Sequence, residues 1–166
     1  MKKLKLYLDT SVISHLRHED VPEKMKDTLL FWEELKTGKH EVVISEFTLD
    51  ELRQCPEPKQ TELFNCLGDI EYVLLKENHE VKALTETYLE EGVLSRKNRG
   101  DCLHMAFATV NGCDMIASWN FKHMVRVKVI QGIRIVNAKK GYFKLIDIIQ
   151  PTMMTQGEET NESAGN

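Results

Sequence analysis

The stretch "DCLHMAFATVNGCDMIASWN", Asp101 to Asn120, sets a helix, a stop and a strand side by side. Asp101 to Val110 reads as a helix, and Gly112 closes it, since glycine accepts the left-handed backbone that follows a helix end. "DMIAS", Asp114 to Ser118, is an apolar run of strand length. Working outward, the same alternation recurs. Strands are expected at Lys5 to Leu8, Glu41 to Ser45, Ile70 to Leu75 and, beyond Asn120, at "IRIVN", Ile133 to Asn137. Between them lie helical patterns: Val21 to Lys36 with Met25, Leu29, Trp32 and Leu35 at three- and four-residue spacing, Glu46 to Gln54, Lys59 to Leu67, and a further one marked by Val81, Leu84, Thr85, Tyr88 and Leu89. Strands separated by helices require right-handed crossovers, hence a parallel sheet of about five strands covered on both faces. Tyr142 to Ile149 is a weak candidate for a last short element packed on the body.

The chain has 166 residues, 42% apolar and 29% charged, which suits one domain with one substantial core. That domain is placed at 1–149, followed by a tail at 150–166 that lacks aromatic residues and apolar periodicity and is expected to be disordered. The tail carries Glu158, Glu159 and Glu162 and no base, so most of the net charge of −4 sits there and the body is nearly neutral. Such a body lacks the basic footprint of a tight duplex-DNA binder. "MKKLKLYLDT" is interrupted by Asp9 before a signal-like apolar region develops, and no run approaches the ~18 apolar residues of a membrane span. A soluble cytoplasmic protein is expected. Cys55, Cys66, Cys102 and Cys113 lack the close pairs of zinc sites and read as four reduced thiols.

Ligands of parallel sheets collect outside the carboxyl ends of the strands. Asp9 ends the first strand, Asn120 follows the fourth, Glu51 lies on the helix after the second, and Asp101 opens the helix before the fourth. Carboxylates forced together resist ionising unless a cation lies between them. An all-oxygen set without His or Cys suits Mg²⁺ or Mn²⁺, whose chemistry includes phosphodiester hydrolysis.

The segments "YLDTSVIS", "ISEFTLDEL", "RGDCLHMAFATVNGCDMIASWNFKHM" and "IRIVNAKKGY" together resemble the PIN-domain family and, within it, the VapC-type toxin ribonucleases. The resemblance spans about Lys5 to Ile149. It implies a three-layer PIN-like α/β fold and a Mg²⁺- or Mn²⁺-dependent endoribonuclease acting on single-stranded RNA. It also implies a small antitoxin protein as partner and a homodimer. The family's first three acids fall on Asp9, Glu51 and Asp101 as metal ligands, and its fourth acidic position falls on Asn120, a departure that removes one charge but leaves a carboxamide oxygen to coordinate the ion or position the water.

Each residue also has a plainer account. Asp9 or Ser11 could cap the helix that follows, and Thr10 and Ser11 could instead orient Asp9. Glu46 rivals Glu51 one turn earlier. Asp101 suits a helix start for electrostatic reasons alone. Ser118 is open to the same two readings as Ser11. His104, one turn past Asp101, reads better as a satisfied half-buried histidine than as a phosphate ligand. Arg96, Lys97 and Arg99 form a basic turn that could grip RNA or simply be solvated, and Trp119 and Phe121 read as packing more than as stacking platforms. Two rivals stand beside the nuclease. An aspartyl-nucleophile phosphatase would need a second acid where Ser11 stands. A PIN-like RNA- or protein-binding module with weakened catalysis is favoured only by Asn120.

Overall fold

The computed structural model describes residues 2–155. Five parallel strands, β1 (Lys5–Leu8), β2 (Glu41–Ser45), β3 (Val73–Leu75), β4 (Met115–Ala117) and β5 (Asp147–Ile149), lie in the order β3-β2-β1-β4-β5. β1 is central, with Leu6 opposite Val42 on one side and Met115 on the other. Eight helices connect or follow the strands: α1 (Thr10–Ser14), α2 (Pro22–Lys36), α3 (Glu46–Leu52), α4 (Lys59–Leu67), α5 (His79–Glu90), α6 (Arg99–Val110), α7 (Val127–Lys139) and α8 (Thr152–Thr155).

Successive strand residues point to opposite faces, so β1 supplies two cores. Leu6 and Leu8, with Val42 and Ile44, pack against Val12, Ile13, Phe31, Trp32, Leu35, Leu52, Leu63 and Leu67 from α1 to α4. Tyr7 and Val43 face the other way, onto Val81, Leu84, Tyr88, Met105, Phe107, Ile133 and Val136 from α5 to α7. The result is the expected three-layer α/β architecture.

Three sequence readings need correction. Ile133–Asn137, expected as the fifth strand, lies within α7. Its buried residues, Val129, Ile133 and Val136, follow helical spacing while Ile135 is 59% exposed, and the true fifth strand is Asp147–Ile149. On α2 the buried face is Thr28, Phe31, Trp32 and Leu35, with Leu29 half-exposed, so the helix is turned by about one residue from the expected stripe. Within the segment assigned to a disordered tail, Thr152–Thr155 forms a helix against α2, with Pro151 and Thr152 buried. The rest of that tail, 156–166, lies outside the described residues. Among the described residues no helix is long and apolar enough to cross a membrane.

Candidate active site

The strands' carboxyl ends set the site. β1 stops at Leu8, and Asp9, extended at φ −78° and ψ 171°, caps α1 by accepting from the Val12 amide at 3.2 Å. Capping does not exhaust this side chain. The same Oδ1 accepts from Ser11 Oγ at 2.6 Å, and Oδ2 accepts from Ser118 Oγ, just past β4, at 2.5 Å. Asp9 is therefore 3% exposed and held by three donors from two strand ends. Burial dominates those bonds and raises its pKa, while the His104 charge, Ser11, Ser118 and Val12 oppose the rise.

Glu51 reaches the same region from α3, half-exposed, and its Oε1 accepts from Thr10 Oγ1 at 2.5 Å and faces His104 Nε2 at 2.7 Å. Burial raises its pKa, but the hydrogen bond and charge of His104 and the Thr10 hydroxyl outweigh that, and the net direction is down. The rival Glu46 points elsewhere, accepting from the Glu77 amide at 2.8 Å.

Asp101 stands in the first turn of α6. Gly100 lets that turn approach α3, since a Cβ there would lie 3.3 Å from the Phe47 ring. Burial raises the Asp101 pKa, His104 and His123 lower it, and the charges of Asp9 and Glu51 raise it again. Asp101 thus feels the charges of the other two carboxylates, and His104 bears on all three.

Asn120 completes the set in a defined orientation. Its Nδ2 donates to Asp101 Oδ1 at 3.2 Å and its Oδ1 accepts from the His123 amide at 3.0 Å. Reversing the amide would set donor against donor at His123 and acceptor against acceptor at Asp101. The fourth position thus restrains Asp101 and turns its oxygen toward its own loop.

Ser11 and Ser118 serve the site through Asp9; Ser11 also accepts from the Trp119 amide at 2.9 Å, and Ser118 from the Asn120 amide at 2.9 Å. Trp119 is a packing residue, buried with its indole N–H on Thr28 Oγ1 at 2.8 Å, while Phe121 is half-exposed beneath the Lys24 ammonium. In the basic turn, Arg96 and Arg99 both pair with Glu86.

Sequence reasoning gave His104 a structural role. It is 3% exposed, inside the cluster, and influences all three carboxylates. Its Nδ1 meets Tyr7 Oη at 2.6 Å, and Tyr7 Oη meets Ser45 Oγ at 2.8 Å. The available signal was two polar groups, Tyr7 and His104, inside otherwise apolar buried runs.

The donor set fits a hard divalent cation in kind: oxygens from separate elements, with the like charges of Asp9 and Glu51 adding to the burial that raises Asp101. It is not drawn together as a finished cage. Among the described residues no three His, Cys, Asp or Glu side chains stand close enough to hold an ion. Ligation of one ion by all three carboxylates would require them to lie closer together than they do.

The ionisations have opposite consequences for stability. Asp101, with a raised folded pKa, contributes stability that is full below its unfolded pKa and lost as pH rises through the folded value; Glu51, lowered, contributes stability above its unfolded pKa that is lost as pH falls through its folded value. Acid also competes with a cation for these groups. On a cation-binding reading of the site, stabilisation by Mn²⁺ is expected to be larger at pH 7 than at pH 5, and differential scanning fluorimetry at the two pH values checks it.

No protein-family profile and no curated protein matches the chain. A solved structure does. A chain of the VapBC2 complex from Rickettsia felis, bound to a DNA fragment from their promoter, superposes with a TM-score of 0.56 at 14% identity, over 89% of this chain and 98% of that one. At that identity the likeness is one of fold, and it establishes that this chain has the fold of a VapBC component, in agreement with the PIN-like architecture implied by its sequence.

Proposed function

We propose that this chain is a divalent-cation-dependent endoribonuclease that hydrolyses phosphodiester bonds of single-stranded RNA, and the toxin of a toxin–antitoxin pair. The observation that carries the proposal is the hydrogen-bond network at the carboxyl edge of the sheet, in which Ser118 and Asn120 link Asp9 to Asp101 and Thr10, next to Asp9, donates to Glu51.

Asp9, fixed by three donors, would hold Mg²⁺ or Mn²⁺ together with Glu51 and Asp101, the half-buried members of the set. When bound, the ion supplies a more acidic water and neutralises phosphate charge. Asn120 holds Asp101 through its amide and adds no charge of its own. The surface of the site is acidic, so a phosphodiester would be repelled from it until the carboxylates are neutralised. The same acidity suits an inhibitor's guanidinium, because bidentate contacts to carboxylates are strong. An antitoxin arginine is the proposed means of inhibition, and the VapBC2 neighbour supports the pairing.

The test is incubation of the purified chain with mixed single-stranded RNAs in Mg²⁺ or Mn²⁺, with chelator as control. Cleavage that needs the ion supports the proposal, and cleavage indifferent to chelator contradicts it. Absence of cleavage, with no stabilisation by Mn²⁺, supports the alternative of a PIN-like RNA- or protein-binding module. The inward amide of Asn120 is the observation that favours that second reading.

Asn120→Asp separates the two further. It replaces a donor to Asp101 with a like charge, so the metal-free variant is expected to melt below the wild type and to gain more from Mn²⁺. Cleavage by this variant is expected to saturate at lower Mn²⁺. An unchanged ion requirement would show that the charge at position 120 does not bear on ion binding.

A further inference from the structure

His104 lies one turn beyond Asp101 on α6, buried, with both ring nitrogens engaged. The Glu51 carboxylate can only accept, so Nε2 carries the proton it donates, and Nδ1 is engaged by the Tyr7 hydroxyl. Tyr7 is wholly buried in β1, and its oxygen meets Ser45 Oγ, itself fixed by the Thr48 amide at 3.1 Å. The ring is also flanked by Tyr7, edge-on with centroids 5.6 Å apart, and by Phe47 at 4.9 Å. Rotation would break one buried and one half-buried hydrogen bond, so the direction of Nε2–H is set by the sheet.

This bond and the Thr10 hydroxyl converge on one atom. Both reach Glu51 Oε1, at 2.7 Å and 2.5 Å, and no described residue donates to Oε2. We infer that His104 is a positioning residue which, with Thr10, holds Oε1 of Glu51 so that Oε2 is the oxygen presented to the cation. The inference rests on the cation-dependent reading of the site. The chain Thr48–Ser45–Tyr7–His104 thus ends on a carboxylate of the site. The sheet thereby fixes the angle of a side chain that solvent would otherwise leave free to turn.

Glutamine and asparagine separate the two nitrogens. His104→Gln places an amide nitrogen at about the reach of Nε2 and retains the donor to Glu51, whereas His104→Asn reaches only as far as Nδ1 and loses it. By titration calorimetry with Mn²⁺ alone, His104→Asn is expected to bind about 10- to 100-fold more weakly than wild type. His104→Gln is expected to remain near the wild-type affinity. Thr10→Val, on a half-buried side chain whose hydroxyl also lies 3.4 Å from His104 Nε2, removes the second donor and is expected to weaken Mn²⁺ binding in the same direction. Equal losses in the Asn and Gln variants, or wild-type affinity in His104→Asn and Thr10→Val, would overturn the inference while leaving the cation site intact. If the wild type itself binds no Mn²⁺, the cation reading falls and this inference falls with it.

Discussion

Asp101→Asn is expected to yield a protein that melts above the metal-free wild type at neutral pH and no longer cleaves RNA. The two effects have one cause. Burial and the neighbouring charges of Asp9 and Glu51 raise the Asp101 pKa, so its ionised form is a burden on the folded state above the unfolded pKa. An asparagine removes that charge and can still accept from Asn120 Nδ2 through its own oxygen. The same neutral oxygen is a poorer ligand for a divalent ion and does not help to neutralise it. Loss of transition-state stabilisation of about 4 kcal/mol, roughly 10³-fold in rate, is expected from disabling such a site. A thermal melt at pH 7 with chelator and a cleavage assay with Mn²⁺ check both halves. A variant that is less stable and fully active would contradict the placement of Asp101 among mutually repelling carboxylates.

The second large effect concerns α7. Ile133→Ala is expected to cost about 2–5 kcal/mol, because Ile133 is wholly buried against the α5–α7 side of the sheet. Ile135→Ala, at a position 59% exposed, is expected to change stability by no more than ~0.5 kcal/mol. In a strand the two isoleucines would share a face and lose stability together. Urea unfolding of both variants distinguishes the arrangements. Comparable losses would argue for the strand that the local sequence suggests.

That pair also shows where the sequence is informative. "IRIVN" alternates only over Ile133, Arg134 and Ile135, a span too short to separate a period of two from one of 3.6, and only the longer spacing Val129, Ile133, Val136 reveals the helix. β5 is three residues long and follows the exposed Phe143 and Leu145, so neither length nor alternation marks it. By contrast β1, β2 and β4 are buried runs ending at polar residues, and their pattern is legible directly. The positions of Asp9, Glu51 and Asp101 follow from the same pattern, since each sits at or near a strand or helix end. What the sequence leaves hidden is pairing across the fold. The contact of His104 with Glu51 joins α6 to α3, and the turn of Asn120 toward Asp101 depends on a loop amide at His123. Neither follows from spacing along the chain.

The central claim, that Asp9, Glu51 and Asp101 form an oxygen site for a divalent cation, is tested most directly by Mn²⁺ electron paramagnetic resonance. Adding the wild-type chain to a Mn²⁺ solution is predicted to diminish the free-ion signal, and adding Asp9→Asn at the same concentration is predicted to leave it nearly unchanged. An undiminished signal with the wild type, or equal loss of signal with both proteins, would contradict the account.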